Sequence, residues 1–138
     1  MKKVFTLSLL FLGFTAFFAQ SIAFDQTTIN FGSIAEGSVA QRNFTVQNTG
    51  KKPLILNKVQ AACGCTTPKW SSDPIMPGKS AHITVGYDTR ILGEFSKLIE
   101  VYSNDPDHGR VTLYIKGTVE PKATTAARGV KKAPVRKS

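Results

Sequence analysis

The 138-residue sequence is poor in the residues that most often carry chemistry: two cysteines, two histidines, two methionines and one tryptophan. A zinc site wants about four ligands at fixed spacings. His82 and His108 stand at no ligand spacing from Cys63 and Cys65. There is no nucleophile-elbow motif and no zinc-protease helix motif. Gly78-Lys79-Ser80 resembles the end of a phosphate-binding loop, but the glycine needed five residues earlier is Asp73. Asp105 and Asp107 flank Pro106 without the twelve-residue pattern of a calcium loop, so they read as turn residues. Asn43-Phe44-Thr45 fits a glycosylation sequon but falls inside a strand pattern. No catalytic residue, no cofactor and no resident metal is therefore expected.

Long apolar runs are also missing, with one exception. Val4 to Phe18 is apolar apart from small or weakly polar residues, and it follows Lys2 and Lys3. A membrane span needs roughly 20 apolar residues, so this segment reads as a secretory signal peptide over residues 1–19, cleaved after Ala19. Phe17 is an awkward residue for a small-x-small cleavage site. The exported chain then has no transmembrane segment and belongs in the periplasm or outside the cell. No cysteine lies near the signal, which argues against a lipid anchor.

Acidic residues are half as numerous as basic ones, nine against 18, for a formal charge of +9. The excess is uneven. Residues 120–138 hold six basic residues and one acid, whereas residues 20–119 hold ten and eight. The folded surface is thus nearly balanced. The tail has almost no large apolar residue and cannot offset its ordering entropy, so it is expected to be disordered. It is free to touch anionic surfaces such as lipopolysaccharide, phospholipid heads or acidic glycans. It lacks the interleaved aromatics that stack on bases, so no specific nucleic acid is expected.

After the signal, no segment holds an apolar 3.6 period. Ile29 and Phe31 alternate up to Gly32. Phe44 and Val46 alternate with polar neighbours, and Asn48-Thr49-Gly50 turns the chain. Leu54 to Val59 follows Pro53, and Pro77-Gly78 signals a type II turn. Ile83, Val85 and Tyr87 share one face; so do Phe95, Ile99 and Val101, and then Val111, Leu113, Ile115 and Val119. Seven short strands in about 100 residues predict an all-β, seven-stranded immunoglobulin-like two-sheet sandwich over residues 20–119. A closed barrel is the alternative. His82 alternates with Ile83 and should face solvent, while Lys97 would reach a sheet edge.

The ordered phrases Phe31-Gly32-Ser33-Ile34, Phe44-Thr45-Val46-Gln47-Asn48-Thr49-Gly50, Ala62-Cys63-Gly64-Cys65-Thr66-Thr67-Pro68, Pro77-Gly78-Lys79 and Ile115-Lys116-Gly117 carry a likeness. The chain resembles the bacterial domain-of-unknown-function 1573 family, which is related to the Hydin, ASH and major sperm protein group of immunoglobulin-like domains. The resemblance spans about Ile22 to Val119. It implies a seven-stranded sandwich in exported bacterial proteins, often from Bacteroidetes-like organisms, and implies no activity.

Cys63 and Cys65 remain the chemically interesting pair. Exported cysteines are normally oxidised. An extended strand would hold their Cα atoms about 6.5–7 Å apart, at the edge of disulfide reach. Gly64 can relax the backbone into a turn that closes the gap. Three outcomes stay open: two small buried thiols, a strained and labile Cys63–Cys65 disulfide, or a metal or intermolecular role in which the thiolates hold a soft ion such as Cu(I). Trp70 either plugs one end of the core or stands exposed as a partner contact. The leading functional expectation is an exported, non-catalytic binding or scaffold module of the bacterial cell envelope, with a protein or envelope component as partner. The alternative is a small redox or soft-metal-handling protein acting through Cys63-Gly64-Cys65.

Overall fold

A computed structural model describes residues 20–122. The expected signal peptide (1–19) and all but the first residues of the expected basic tail lie outside the described residues. Eight strands follow one another: β1 (Ile22–Phe24), β2 (Thr28–Ala35), β3 (Ala40–Asn48), β4 (Leu56–Ala61), β5 (Thr66–Lys69), β6 (Ser80–Tyr87), β7 (Gly93–Ser103) and β8 (Arg110–Glu120). They form two four-stranded sheets, ordered β1-β3-β6-β5 and β2-β8-β7-β4. Apolar side chains from both inner faces meet to form one core. Among the described residues no helix is long and apolar enough to cross a membrane.

The first strand switches sheets. β1 pairs antiparallel with β3, and β2 pairs parallel with β8 in the opposite sheet. The crossing is held at Asp25, whose backbone N–H donates to Thr45 O at 3.1 Å and whose Oδ1 accepts from Thr45 N at 3.0 Å. Within β2 the alternation Ile29, Phe31 changes parity before Ile34, and the pairing with β8 shifts between Asn30 and Ser33. Gly32 sits at this irregularity with φ 69°, a conformation that costs a residue with a Cβ. The Pro77-Gly78 turn closes as expected. Lys79 N donates to Met76 O at 2.9 Å, and Gly78 has φ 76°, the left-handed position of a type II turn.

The core matches the alternation. Phe44, Val46, Ile83 and Val85 are fully buried on the β3–β6 pair, opposite Ile99, Val101, Leu113 and Ile115 on β7 and β8. Gly117 breaks the apolar series for a steric reason. A Cβ there would lie 2.9 Å from Phe95 and 3.0 Å from both Phe31 and the Gly32 carbonyl. The space belongs to an aromatic cluster, in which Phe31 meets Phe95 edge-on and Tyr87 stacks on Phe95 with centroids 3.7 Å apart.

Three details differ from the sequence reading. Thr66–Lys69 is a strand, which makes eight rather than seven. It carries no apolar alternation because it is an edge strand, and Pro68 is tolerated there because one of its sides needs no hydrogen bond. Lys97 lies on β7, an interior strand flanked by β8 and β4, and not at an edge. Glu120 belongs to β8 rather than to the tail, since it pairs with Ala35 and its carbonyl accepts from Glu36 N at 2.8 Å.

One end of the sandwich is built on polar hubs. Asn48 is fully buried, and its Nδ2 donates to the carbonyls of Lys52 at 2.7 Å and Ile75 at 2.8 Å. Asp105, also buried, accepts from the backbone N–H groups of Ile22, Asp107 and His108. Each satisfies amides and carbonyls that loops would otherwise bury unpaired.

Candidate functional site at the loop end beside Cys63 and Cys65

At the opposite end three loops converge: Glu36–Val39 between β2 and β3, Ala62–Cys65 between β4 and β5, and Asp88–Leu92 between β6 and β7. Hydrogen bonds tie them together. Thr89 Oγ1 donates to Ser38 O at 2.6 Å, and Gly37 N donates to Thr89 O at 3.4 Å. Asp88 N donates to Cys65 O at 2.9 Å, extending the β5–β6 ladder into the cysteine turn. Arg90 grips Asp88 in a fork, Nη2 to Oδ2 at 2.7 Å and Nε to Oδ1 at 2.9 Å. Bonds from the Arg90 side chain, then from its backbone N–H, hold the Asp88 carboxyl at about 2, far below its usual range. The loop clamp thus persists well into acid. Beside it, burial first and the Asp88 charge second push the Tyr87 hydroxyl above its ordinary value.

Cys63 and Cys65 meet in the turn that Gly64 permits. Their Cα atoms are 5.3 Å apart, closer than an extended strand allows, and the sulfurs are within bonding distance. Thr66 N donates to Cys63 O at 3.4 Å and closes the turn. Both cysteines are half-buried, and Cys65 packs on the core. A link across residues two apart constrains the unfolded chain little, worth about 1.5 kcal/mol by loop entropy. The Thr66 hydroxyl, in a residue only 3% exposed, lies 4.0 Å from Cys63 Sγ and 3.8 Å from Cys65 Sγ. Cys65 also lines a surface groove of about 520 Å³, with Gln41, Thr67, Gly86, Tyr87 and Arg90 among the other walls.

Trp70 is not brought to this site. β5 carries the chain away from the cysteine turn, and Trp70 stands just past its far end, 37% exposed and outside the core. It is therefore not the core plug that was one of its two expected roles. His82 and His108 are both exposed, as their positions in the pattern implied for His82. Among the described residues no cluster of three or more histidine, cysteine or carboxylate side chains could hold a metal ion.

Sequence reasoning missed the apolar part of this end. Val39 is 85% exposed, Leu92 49% and Ile91 46%. All three sit on the loops that the Thr89 and Gly37 bonds join. The signal available was small: Ile91 and Leu92 are an apolar pair with no alternation, between a charged turn and Gly93.

The family described as "Protein of unknown function (DUF1573)" matches residues 22–119. The chain belongs to the DUF1573 family. Among curated proteins no relative is found. A protein of unknown function from Porphyromonas gingivalis W83 matches with TM-score 0.67 and 20% identity, over 79% of this chain and 51% of that one. The chain thus spans about half the length of that relative. The ASH/PapD-like domain 7 of human CEP192 matches with TM-score 0.64 and 10% identity, over 88% of this chain and the whole of that one. The periplasmic chaperone SfaE matches with TM-score 0.51 and 15% identity, over 76% of this chain and 59% of that one. At these identities the DUF1573 chain shares a fold with them: the immunoglobulin-like, PapD-like sandwich.

Proposed function

We propose that this DUF1573 chain is an exported, non-catalytic binding module of the cell envelope. Its partner is a protein that docks on the loop end through Val39, Ile91 and Leu92. One observation carries the reading: three large apolar side chains stand uncovered on loops that hydrogen bonds hold together. Exposed apolar groups cost little when scattered, but a group of them on braced loops is the makeup of an interface core. The likeness to a structure named as a periplasmic chaperone, and the signal-like residues 1–19, support an extracytoplasmic setting. β8 ends at this side of the sandwich, and the exposed Lys122 follows it, where its charge would add attraction to an acidic partner surface.

The test is a paired substitution, Val39→Asp with Ile91→Asp. Both residues are exposed, so the denaturation midpoint should stay within about 0.5 kcal/mol of the parent in stability. Retention of envelope proteins on the immobilised chain should fall at least ten-fold for the specific partner, as loss of a desolvated anchor demands. A partner retained equally by both forms would remove this surface from the account.

A further inference from the structure

We propose that Cys63 and Cys65 form a thiol–disulfide exchange site for cysteine-bearing exported polypeptides, with Cys65 the sulfur attacked and Cys63 the sulfur that leaves. The placement of the two residues distinguishes them. Cys65 lines the groove, whereas Cys63 does not. A thiolate entering along the groove therefore meets Cys65 first. The groove is also lined by Gln41, Thr67 and Arg90, residue types whose polar groups suit an extended peptide backbone. Gly86 lets the Thr67 hydroxyl lie close over the backbone there, where a Cβ would stand 2.9 Å from it.

One group favours the departing thiolate. The Thr66 hydroxyl, in a buried residue, lies 4.0 Å from Cys63 Sγ and 3.8 Å from Cys65 Sγ, so its O–H can donate to whichever sulfur leaves.

The chemistry balances with an exported dithiol as co-reactant. One partner thiolate attacks Cys65 Sγ. The Cys63–Cys65 bond breaks, a mixed disulfide forms at Cys65, and Cys63 leaves as a thiolate that takes a proton from solvent. The partner's second thiolate then attacks its own sulfur in the mixed disulfide. Cys65 departs as thiolate and is protonated. The partner gains a disulfide and loses two electrons, and the Cys63–Cys65 pair becomes a dithiol. A link between residues two apart holds little of the fold together, so the sandwich survives the cycle.

The inference does not depend on a partner docking at Val39, because small thiols probe it directly. The chain from Gln20 onward is equilibrated with mixtures of reduced and oxidised glutathione, trapped by alkylation and weighed. The pair should pass from oxidised to fully reduced across these mixtures, with an unchanged β-sheet dichroism spectrum. A pair still oxidised in excess reduced glutathione, or a chain that unfolds on reduction, would overturn the proposal. Thr66→Val should slow reduction by dithiothreitol about ten-fold, with Thr66→Ser restoring the parent rate. Equal rates in all three would exclude Thr66 as the donor to the leaving sulfur. The oxidised chain, mixed briefly with reduced glutathione and quenched with iodoacetamide, should carry the glutathione adduct on Cys65 and the alkyl group on Cys63 by peptide mass mapping. The reverse placement would overturn the assignment of the attacked sulfur.

Discussion

Replacing Asp105 with alanine is expected to destabilise the domain by about 2–4 kcal/mol, because it strands three backbone donors at once, one buried and two part-buried. Ile22 N reaches Oδ2 at 2.8 Å, and Asp107 N and His108 N reach Oδ1 at 2.8 and 2.9 Å. The first of these bonds pins the start of β1 to the β7–β8 loop, across 83 residues of chain. Its loss should therefore loosen the first strand as well as the turn. Asp105→Asn keeps an acceptor oxygen for part of the set and should cost less, about 1–2 kcal/mol.

The same carboxyl links stability to pH. Burial alone would raise its pKa, but the N–H groups of Ile22, His108 and Asp107, with His108 nearby, together pull it below the ordinary 3.8. A carboxyl lowered in the folded state contributes stability that is complete above 3.8, the unfolded value. That contribution is lost as pH falls through the lower folded value. The parent chain should thus lose stability below about pH 4. Asp105→Asn should lose less over the same interval. Urea midpoints at pH 7 and pH 3 measure both effects; parallel losses in the two proteins would exclude Asp105 as the titrating group.

Phe44→Ala is expected to be at least as damaging, at about 3–5 kcal/mol. Phe44 is wholly buried on β3, pairs with Ile83 across to β6, and faces the second sheet. Both strands are interior to their sheet, with β1 and β5 outside them. No loop can collapse into the space left by the ring, so the cavity persists and the full cost is felt. A denaturation midpoint that did not move would mean that the faces of β3 are reversed.

Much of the fold was legible because burial in a sandwich writes itself as period two. Ile83-Val85-Tyr87 and Leu113-Ile115-Val119 mark their inner faces without help from tertiary contacts. β5 was not legible, because an edge strand of Thr-Thr-Pro-Lys buries little and carries no alternation. The cysteine turn was readable as geometry, since only a glycine-relaxed turn closes the Cα gap, but spacing alone could not choose among thiols, disulfide and metal. The polar hubs were hidden for another reason. Asn48 and Asp105 look like ordinary turn residues, and only the packing of distant loops makes them buried acceptors and donors. The apolar loop end was hidden too, because the loop that carries Val39 and the loop that carries Ile91 and Leu92 are joined by a Thr89–Ser38 hydrogen bond between segments some fifty residues apart.

Partner binding is placed at the loop end that carries Val39, not at the end that carries Met76. A photo-crosslinking residue at Val39, compared in the native host with the same residue at Met76 on the far end, tests this most directly. Both side chains are well exposed, 85% and 52%. A single dominant protein adduct at position 39, absent at position 76, is the expected result. Adducts formed only from position 76 would contradict it.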